Sequence, residues 1–501
     1  MVFEHITPEA AGISSKKVKR FIEKLESRGA MMHSIMMFRH GKVFAEHYWA
    51  PFNENSLNRM YSQTKSYCAI ALGLLRDEGK LTFDQKIAEF FPDKINGEIP
   101  EHLKELTVEN MLTMTTAGAP INWFEAHAQD RVDLYFNHRS LNHVQNTVWR
   151  YDSAGSQVLG VLAERLSGMK LIDYLRKKLF NKMGTFQNAR VLMTGNGDSW
   201  GDSALLCTTR DMASGGLLLL NNGVYEGEQL LSQDFVREAT SPLKNNMTNW
   251  FTNSLYGNGY GYQIWRYPQN SFGFVGMGDQ LTICVPDKDF MFVCTADHQS
   301  PKDTGNSTAM REMLITTLYD LIVDELCDAP LSEDKQAYDE YRSATADLKL
   351  HAVKGAEDSP IREKINGVTY ECDSNDMGIT KFTFKFNDKA SGEFCYTNAQ
   401  GDKVIPFGVN HNVFGKFPHL GYSSEHGEVP TTDGFMYDDA VSLAWIDENK
   451  LILNVKIIDK YLGAMSAVFG FNGEYATAHF EKAAEYFLEE YMGWLTGKVA
   501  K

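Results

Sequence analysis

The stretch from Ser62 to Glu78 constrains the fold most, because its body is apolar on nearly every side. It reads SQTKSYCAIALGLLRDE, and Gly79 follows it where a helix-terminating glycine belongs. A helix that is apolar all round is buried rather than laid on a surface. The sequence therefore predicts a helix buried inside a packed domain, with an accessible N-terminal end.

The chain is long enough for two domains. Its 501 residues, 43% of them hydrophobic, exceed the size at which one core usually stops growing. Helical patterns dominate the first half, and the β-rich runs YGYQIW, SFGFVG, QLTICVP and DFMFVCTAD then predict an antiparallel sheet covered by a helix over 307–326. We expect an α+β domain over residues 1–330, a linker over 331–362 and a second domain over 363–501.

The second domain is predicted to be mostly β, with a helix at its C-terminal end. Residues 366–475 repeat a pattern of short strands and turns, and ATAHFEKAAEYFLEEYMGWL, 476–495, has the pattern of an amphipathic helix. Composition selects no role for this domain. Three roles stay open: shaping a neighbouring site, self-association into a homo-oligomer, or binding a partner.

Charge, cysteines and apolar runs limit the partners. The chain has 65 acidic and 49 basic residues, which gives a net charge of −16, and its basic residues form no stripe. Nucleic acid is therefore disfavoured as a partner. The seven cysteines stand singly, which disfavours disulfides and a zinc cluster. Neither a secretory signal pattern nor an apolar run long enough to cross a bilayer is found. We expect a cytoplasmic protein with no membrane partner and no metal or cofactor.

The pattern Ser-x-x-Lys occurs five times, and only context distinguishes the copy at Ser62. The other copies begin at Ser14, Ser167, Ser241 and Ser332. Ser62 alone opens a buried helix, where unpaired N–H groups and the helix dipole would stabilise an alkoxide or an oxyanion. One turn later, Lys65 would lie beside it and could act as a base. The alternative is a serine that merely caps the helix and a lysine at the surface.

Six ordered stretches resemble the serine β-lactamase-like hydrolases, the group that contains class C β-lactamases, DD-peptidases, related esterases and 6-aminohexanoate-dimer hydrolase. They lie between about residues 5 and 325 and read MMFRHGKVFAEHYW, YSQTKSYCAIALGLLRDEGKLTFDQKIAEFFPD, LTVENMLTMTTAG, WRYDSAGSQVLGVLAERLSG, LLCTTRDMASGGLLLLNNGVYEGEQLLS and SFGFVGMGDQLTICVPD. Six matches in order are far more specific than any one. The resemblance implies a β-lactamase/transpeptidase-like fold, an antiparallel sheet flanked by helices.

The resemblance also implies roles for individual residues. Ser62 matches the acylated nucleophile and Lys65 its lysine partner, while Tyr151 matches the tyrosine that shuttles a proton between nucleophile, leaving group and water. The oxyanion would be held by the backbone N–H groups of Ser62 and Met277. This assignment suits the cleavage of an amide or an ester.

Four positions depart from the family pattern. Phe274-Val275-Gly276 replaces Lys/His-Thr-Gly, so the cation and hydroxyl that hold the carboxylate of a β-lactam or a peptide are missing. Ser153 shortens the Asn that usually contacts the substrate carbonyl, and Met114 stands where a histidine is usual. Gly276 is retained, as expected if the backbone approaches the acyl group closely. The resemblance therefore implies weak recognition of β-lactams.

Together these residues predict a serine hydrolase that cleaves a small amide or ester substrate through an acyl-serine intermediate. Ser62 attacks, the Lys65/Tyr151 pair takes the proton and returns it to the leaving group, and water releases the acyl group. Two alternatives stay open. One is an acyltransferase that uses the same acyl-enzyme, and the other is a non-catalytic binding or scaffold member of the fold.

Overall fold

A computed structural model describes residues 3–118, 130–137, 143–247, 255, 257–299, 306–420, 434–484 and 491–501. The helices are α1 (Ser15–Ser27), α2 (Gln63–Asp77), α3 (Glu101–Lys104), α4 (Val108–Leu112), α5 (Arg131–Asn137), α6 (Ser153–Ser167), α7 (Leu171–Leu175), α8 (Asn181–Met183), α9 (Thr209–Leu220), α10 (Gln233–Ala239), α11 (Asn306–Leu321), α12 (Lys335–Ala344) and α13 (Arg362–Ile365). Among the residues so described, none of the helices is both long and apolar enough to cross a membrane.

The strands of the first part are β1 (Met32–Arg39), β2 (Lys42–Tyr48), β3 (Asn58–Arg59), β4 (Arg190–Val191), β5 (Leu205–Cys207), β6 (Val224–Tyr225), β7 (Glu228–Gln229), β8 (Trp265–Arg266), β9 (Phe272–Gly276), β10 (Gln280–Val285) and β11 (Phe290–Ala296). Those of the second part are β12 (Thr369–Cys372), β13 (Lys381–Phe386), β14 (Ser391–Asn398), β15 (Gly401–Val409), β16 (Val413–Lys416), β17 (Asp438–Asp447), β18 (Lys450–Ile458), β19 (Leu462–Asn472), β20 (Tyr475–Ala484) and β21 (Gly493–Val499).

The first part is built around an antiparallel sheet with the order β2-β1-β11-β10-β9-β8. Strands β1 and β2 form a hairpin, and His40 and Gly41 at its turn both adopt positive φ angles. Helices α1 and α11 pack on one face of the sheet. On the other face lie α2 and α9, with α6 packed behind α2. This confirms the sheet flanked by helices that the resemblance implies.

Helix α2 is the interior helix expected from its apolar sequence. Every residue from Gln63 to Leu75 is buried. The ring of Tyr67 meets the ring of Phe274 on β9 edge-on at 5.8 Å, which fixes the helix against the sheet. Ser62, immediately before the helix, is half-buried. The body of α2 is therefore buried, while Ser62 before its first turn and Arg76 and Asp77 in its last turn reach solvent.

The second part forms a larger sheet that closes into a barrel. Ten of the described strands follow the order β15-β14-β13-β12-β21-β20-β19-β18-β17-β16, and β15 also pairs in parallel with β17. Side chains alternate between interior and exterior, as on β18, where Leu451, Leu453 and Val455 are buried. Aromatic rings such as those of Phe384 and Phe469, 4.9 Å apart, fill the interior. The mostly β architecture predicted for this part is confirmed, and its core also includes Leu192, Trp200, Ala204 and Leu206 of the first part.

The predicted C-terminal helix over 476–495 is wrong for the described part of that segment, which forms strands β20 and β21. Ala476, Ala478 and Phe480 are buried between more exposed neighbours, an alternation with a period of two. Pairing of β20 with β19 and β21 outweighs the helix propensity of alanine, glutamate and lysine. Residues 485–490 of the predicted helix lie outside the described part.

The segment predicted as a linker, 331–362, contains helix α12, which packs on α1. Lys16 Nζ lies 3.1 Å from a carboxylate oxygen of Asp334, and His47 Nε2 on β2 lies 2.5 Å from Tyr341 Oη. The segment is thus attached to the first sheet over part of its length. The division into domains at this segment stays a prediction.

Two buried histidines of the β1–β2 hairpin should make stability depend on pH. Burial lowers the pKa of His47 to about 4 and that of His33 to about 3. In the unfolded chain both would titrate near about 6.5, so the unfolded state binds more protons below that pH. The free energy of unfolding should therefore fall by up to about 2 kcal/mol per histidine between about pH 7 and about pH 5.

Urea unfolding at the two pH values measures this effect, with His47→Gln as the comparison. Glutamine keeps a polar group near Tyr341 Oη but cannot be protonated, so the variant should lose less stability on acidification than the parent. Equal losses in the two proteins would show that the burial of His47 does not control the acid response.

Candidate active site

The N-terminal end of α2 brings the side chains of Ser62 and Lys65 together. Lys65 Nζ donates a hydrogen bond to Ser62 Oγ over 3.0 Å. The lysine side chain is 1% exposed, whereas the serine is half-buried. Ser62 Oγ makes no capping hydrogen bond to the described backbone of α2, so the interpretation of this serine as a simple cap is wrong. A buried amine in contact with a solvent-facing hydroxyl can take its proton.

Asp202, in the loop before β5, holds the other side of the lysine amine. Lys65 Nζ donates to the main-chain oxygen of Asp202 over 2.8 Å, and Asp202 Oδ2 lies 3.9 Å from the same nitrogen. The side chain of Asp202 is 2% exposed. The three protons of an ammonium thus find a hydroxyl, a carbonyl and a carboxylate around them. Sequence analysis missed Asp202, because no local motif marks it and its partner lies 137 positions away.

In the other four Ser-x-x-Lys copies the lysine binds elsewhere. Lys17 pairs with Glu325, Lys170 with Glu164 and the Gly197 carbonyl, Lys244 with Asn146, and Lys335 with Asp339. All four lysines are at least one-third exposed or bind an exposed partner. Context therefore separates the copies as the sequence predicts, because only the copy on the buried helix directs its lysine to its own serine within the described residues.

Tyr151, in the segment that leads into α6, contacts Lys65. Lys65 Nζ lies over its ring, 5.1 Å from the centroid, and the ring stacks on Trp265 of β8 at 5.7 Å. The following residue, Asp152, caps α6 through its carboxylate. Ser153 is the half-buried first residue of that helix. The structure thus places Tyr151 beside Lys65, with Ser153 two residues from it on the same capped turn.

Met114 contacts the residues on either side of Tyr151, and it stands where the resemblance implies a histidine. Its backbone φ is 59°, in the left-handed region. The Met114 sulfur accepts the N–H of Asp152 at 3.1 Å, and its carbonyl accepts the N–H of Arg150 at 2.9 Å. Contacts on both sides of Tyr151 therefore fix the backbone of the tyrosine even though the histidine is missing.

The backbone N–H groups of Ser62 and Met277 donate to no atom in the described part of the chain. Met277, half-buried, follows β9 in the turn to β10. The end of β9 touches the backbone before α2, since a Cβ on Gly276 would lie 2.1 Å from the carbonyl oxygen of Met60. Only glycine allows this approach. The two free N–H groups thus belong to chain segments in direct contact.

Strand β9 carries Phe274 and Val275 where the resemblance expects a cation and a hydroxyl. Both are buried, at 1% and 8% exposure, and neither side chain can form a hydrogen bond. Arg311 on α11 reaches the end of the strand, with Nη2 3.4 Å from the Gly276 oxygen, but its guanidinium is paired with the buried carboxylate of Asp279. The strand therefore has apolar side chains at the two positions where the resemblance implies a cation and a hydroxyl.

The comparisons with known proteins agree with this fold. The sequence model of the family described as Beta-lactamase matches residues 18–316, more than half of the chain. The chain belongs to the beta-lactamase family. Ser62, Lys65 and Tyr151 all lie within that matched range, and their catalytic roles stay a prediction.

Two curated relatives are similar over part of their length. The 6-aminohexanoate-dimer hydrolase of Paenarthrobacter ureafaciens is 25% identical over 248 residues, which are 46% of this chain and 63% of that protein. Penicillin-binding protein 4* of Bacillus subtilis is 28% identical over 145 residues, 27% of this chain and 30% of that protein. The chain thus covers less than two thirds of either relative.

A solved structure of a proposed 6-aminohexanoate-dimer hydrolase from Bacillus anthracis superposes with a TM-score of 0.52 at 16% identity. The superposition covers 64% of this chain and 88% of that one. At this identity the likeness establishes the fold of the first part.

Proposed function

We propose that the protein is a serine hydrolase that cleaves a small amide or ester through an acyl-Ser62 intermediate. The observation that carries the proposal is the 3.0 Å hydrogen bond between Lys65 Nζ and Ser62 Oγ at the accessible end of a buried helix. Membership in a family of hydrolases and the similarity to an enzyme named for hydrolysis of the 6-aminohexanoate dimer support it.

The first half-reaction forms the bond between Ser62 Oγ and the carbonyl carbon. Lys65 in its deprotonated form takes the proton of Oγ, and the carbonyl electron pair moves onto oxygen, where the N–H groups of Ser62 and Met277 receive the charge. Collapse of this intermediate breaks the bond to the leaving group, which takes the proton by way of Lys65 and Tyr151. Water then attacks the acyl-serine with the same groups acting in reverse. An acyltransferase differs only in this last step, where an alcohol or amine replaces water.

Labelling with a fluorophosphonate followed by peptide mass spectrometry tests the proposal. The parent protein should gain one adduct, on the peptide that contains Ser62. Ser332→Ala, which removes an exposed serine from another Ser-x-x-Lys copy, should keep the adduct, and Ser62→Ala should lose it. An unlabelled parent protein, as expected for a scaffold, or an adduct on a different serine would overturn the proposal.

Replacement of Tyr151 by phenylalanine should lower kcat for a p-nitrophenyl ester by about 10²–10⁴-fold, because it removes the phenolic proton carrier. The melting temperature should stay close to that of the parent, since the ring can still stack on Trp265. Tyr260→Phe, in the same aromatic cluster, is the matched control and should leave kcat within a few-fold. Parental kcat in Tyr151→Phe would make the tyrosine a packing residue.

The apolar β9 predicts poor turnover of β-lactams. A β-lactam carries a carboxylate, and leaving it without a partner in the site costs about 1–3 kcal/mol, or about ten- to a hundredfold in kcat/KM. We expect kcat/KM for nitrocefin below that for a neutral p-nitrophenyl ester by at least this factor. An ester analogue with a terminal carboxylate is the control and should show the same penalty. Nitrocefin turnover at or above the neutral ester would mean that another group, with Arg311 the nearest candidate, receives the carboxylate.

A further inference from the structure

The turn that joins β18 to β19 in the barrel reaches the start of α2. Leu462, the first residue of β19, donates its backbone N–H to Tyr61 Oη over 2.7 Å. Tyr61 directly precedes Ser62. Leu462 is 4% exposed and Tyr61 2%, so water is excluded from this contact. The barrel therefore touches the residue next to the proposed nucleophile.

The same leucine contacts the second segment of the site. Its Cδ1 lies 3.0 Å from the position that a Cβ on Gly278 would occupy, and Gly278 directly follows Met277. The Leu462 carbonyl accepts a hydrogen bond from Gln299 Nε2 over 3.2 Å, which ties the turn to the chain just beyond β11. One residue of the barrel thus contacts the neighbours of both free N–H groups.

Tyr61 has a backbone conformation that needs outside support. Its φ is 46°, in the left-handed region that an aromatic residue rarely adopts. Such conformations persist where the surroundings fix them. Besides Leu462, those surroundings include Arg59, whose guanidinium lies 4.4 Å from the Tyr61 ring centroid and 4.7 Å from that of Tyr461 in the barrel turn. The conformation of Tyr61 sets the direction of the next N–H, that of Ser62.

We propose that Tyr461 and Leu462 of the barrel position the oxyanion site. Their contacts hold Tyr61 in its left-handed conformation and hold Gly278 against the end of β9, so that the N–H groups of Ser62 and Met277 converge on one point. Tyr61 and Leu462 are positioning residues that act through these two N–H groups. The inference rests on the proposed function, because it concerns the oxyanion formed at Ser62. On this inference, the barrel contributes to catalysis through the oxyanion site.

Tyr61→Phe in the full-length protein tests the inference, since it removes the acceptor of the Leu462 N–H and keeps the ring beside Arg59. We expect kcat for a p-nitrophenyl ester to fall about tenfold to a hundredfold with KM nearly unchanged, because the oxyanion forms only in the transition state. Tyr396→Phe removes a comparable buried hydroxyl contact inside the barrel, 2.8 Å from Tyr491 Oη, and should leave kcat unchanged at a similar melting temperature.

A second variant covers the case in which Tyr61→Phe does not fold. Leu462→Ala keeps the backbone donor but removes the contact with Gly278, and it should also lower kcat more than it raises KM. Parental kcat in the folded variants, or a loss confined to KM, would overturn the inference. The proposed function fails separately, when the parent protein itself gains no fluorophosphonate adduct on Ser62.

Discussion

Ser62→Ala should reduce kcat for the best ester substrate to less than about one thousandth of the parental value, with the fold intact. The loss is large because the change removes the atom that forms the acyl bond. The cost in stability is small, since Ser62 Oγ caps no described backbone group and its hydrogen bond comes from Lys65. Thermal unfolding and ester kinetics on the same preparation measure both quantities.

Ser332→Ala is the control for the loss of a serine hydroxyl from a Ser-x-x-Lys pattern, and it should retain full activity. An alanine variant at position 62 that hydrolyses the ester as fast as the parent would remove Ser62 from the mechanism. The hydrogen bond between Lys65 and Ser62 would then have only a structural role.

Lys65→Met should lose both activity and stability, and the two losses have separate causes. Activity falls by about 10³-fold or more because the base beside Ser62 is gone. Stability falls by about 3–5 kcal/mol because Asp202, 2% exposed, is left as a buried carboxylate without its cation. Lys170→Met, which removes a partly exposed lysine from another Ser-x-x-Lys copy, should change neither quantity by much.

The double variant Lys65→Met/Asp202→Asn separates these causes. Neutralising Asp202 removes the uncompensated charge, so the melting temperature should recover while kcat stays low. Ester kinetics and thermal unfolding of the four proteins of this cycle measure the coupling. Recovered activity in the double variant would show that Lys65 acts through the stability of the fold and not as a base.

The sequence predicted those features of the fold and the site that local patterns encode. The apolar run after Ser62 identifies a buried helix by itself, and the spacing of Lys65 places it on the same turn. The prediction of a helix over 476–495 fails for β20 and β21. The residues around Ala476 and Phe480 fit both the period of a helix and that of a strand, and the strands they pair with are not visible in the local sequence. Periodicity alone cannot distinguish a helix from a strand when alanine occupies the buried positions.

Residues that contribute through distant contacts could not be predicted. Asp202 reaches Lys65 across 137 positions and stands in no recognisable motif. No local sequence feature distinguishes Leu462 from other leucines at the start of a strand. The pairing of β18 with β19 brings it to Tyr61. For such residues the information lies in the packing of whole elements, which no single stretch of sequence specifies.

The contact between Leu462 and Tyr61 also has a consequence for the order of events during synthesis. The two residues are separated by 401 positions, and β21, which closes the barrel between β12 and β20, is made later still. A nascent chain that has emerged as far as α12 already contains Ser62, Lys65 and Tyr151. Until β18 and β19 have been made and have paired, that chain lacks the contact that fixes Tyr61 from the barrel. On the proposed mechanism, full hydrolase activity is therefore acquired late, when the barrel of the newly made chain closes.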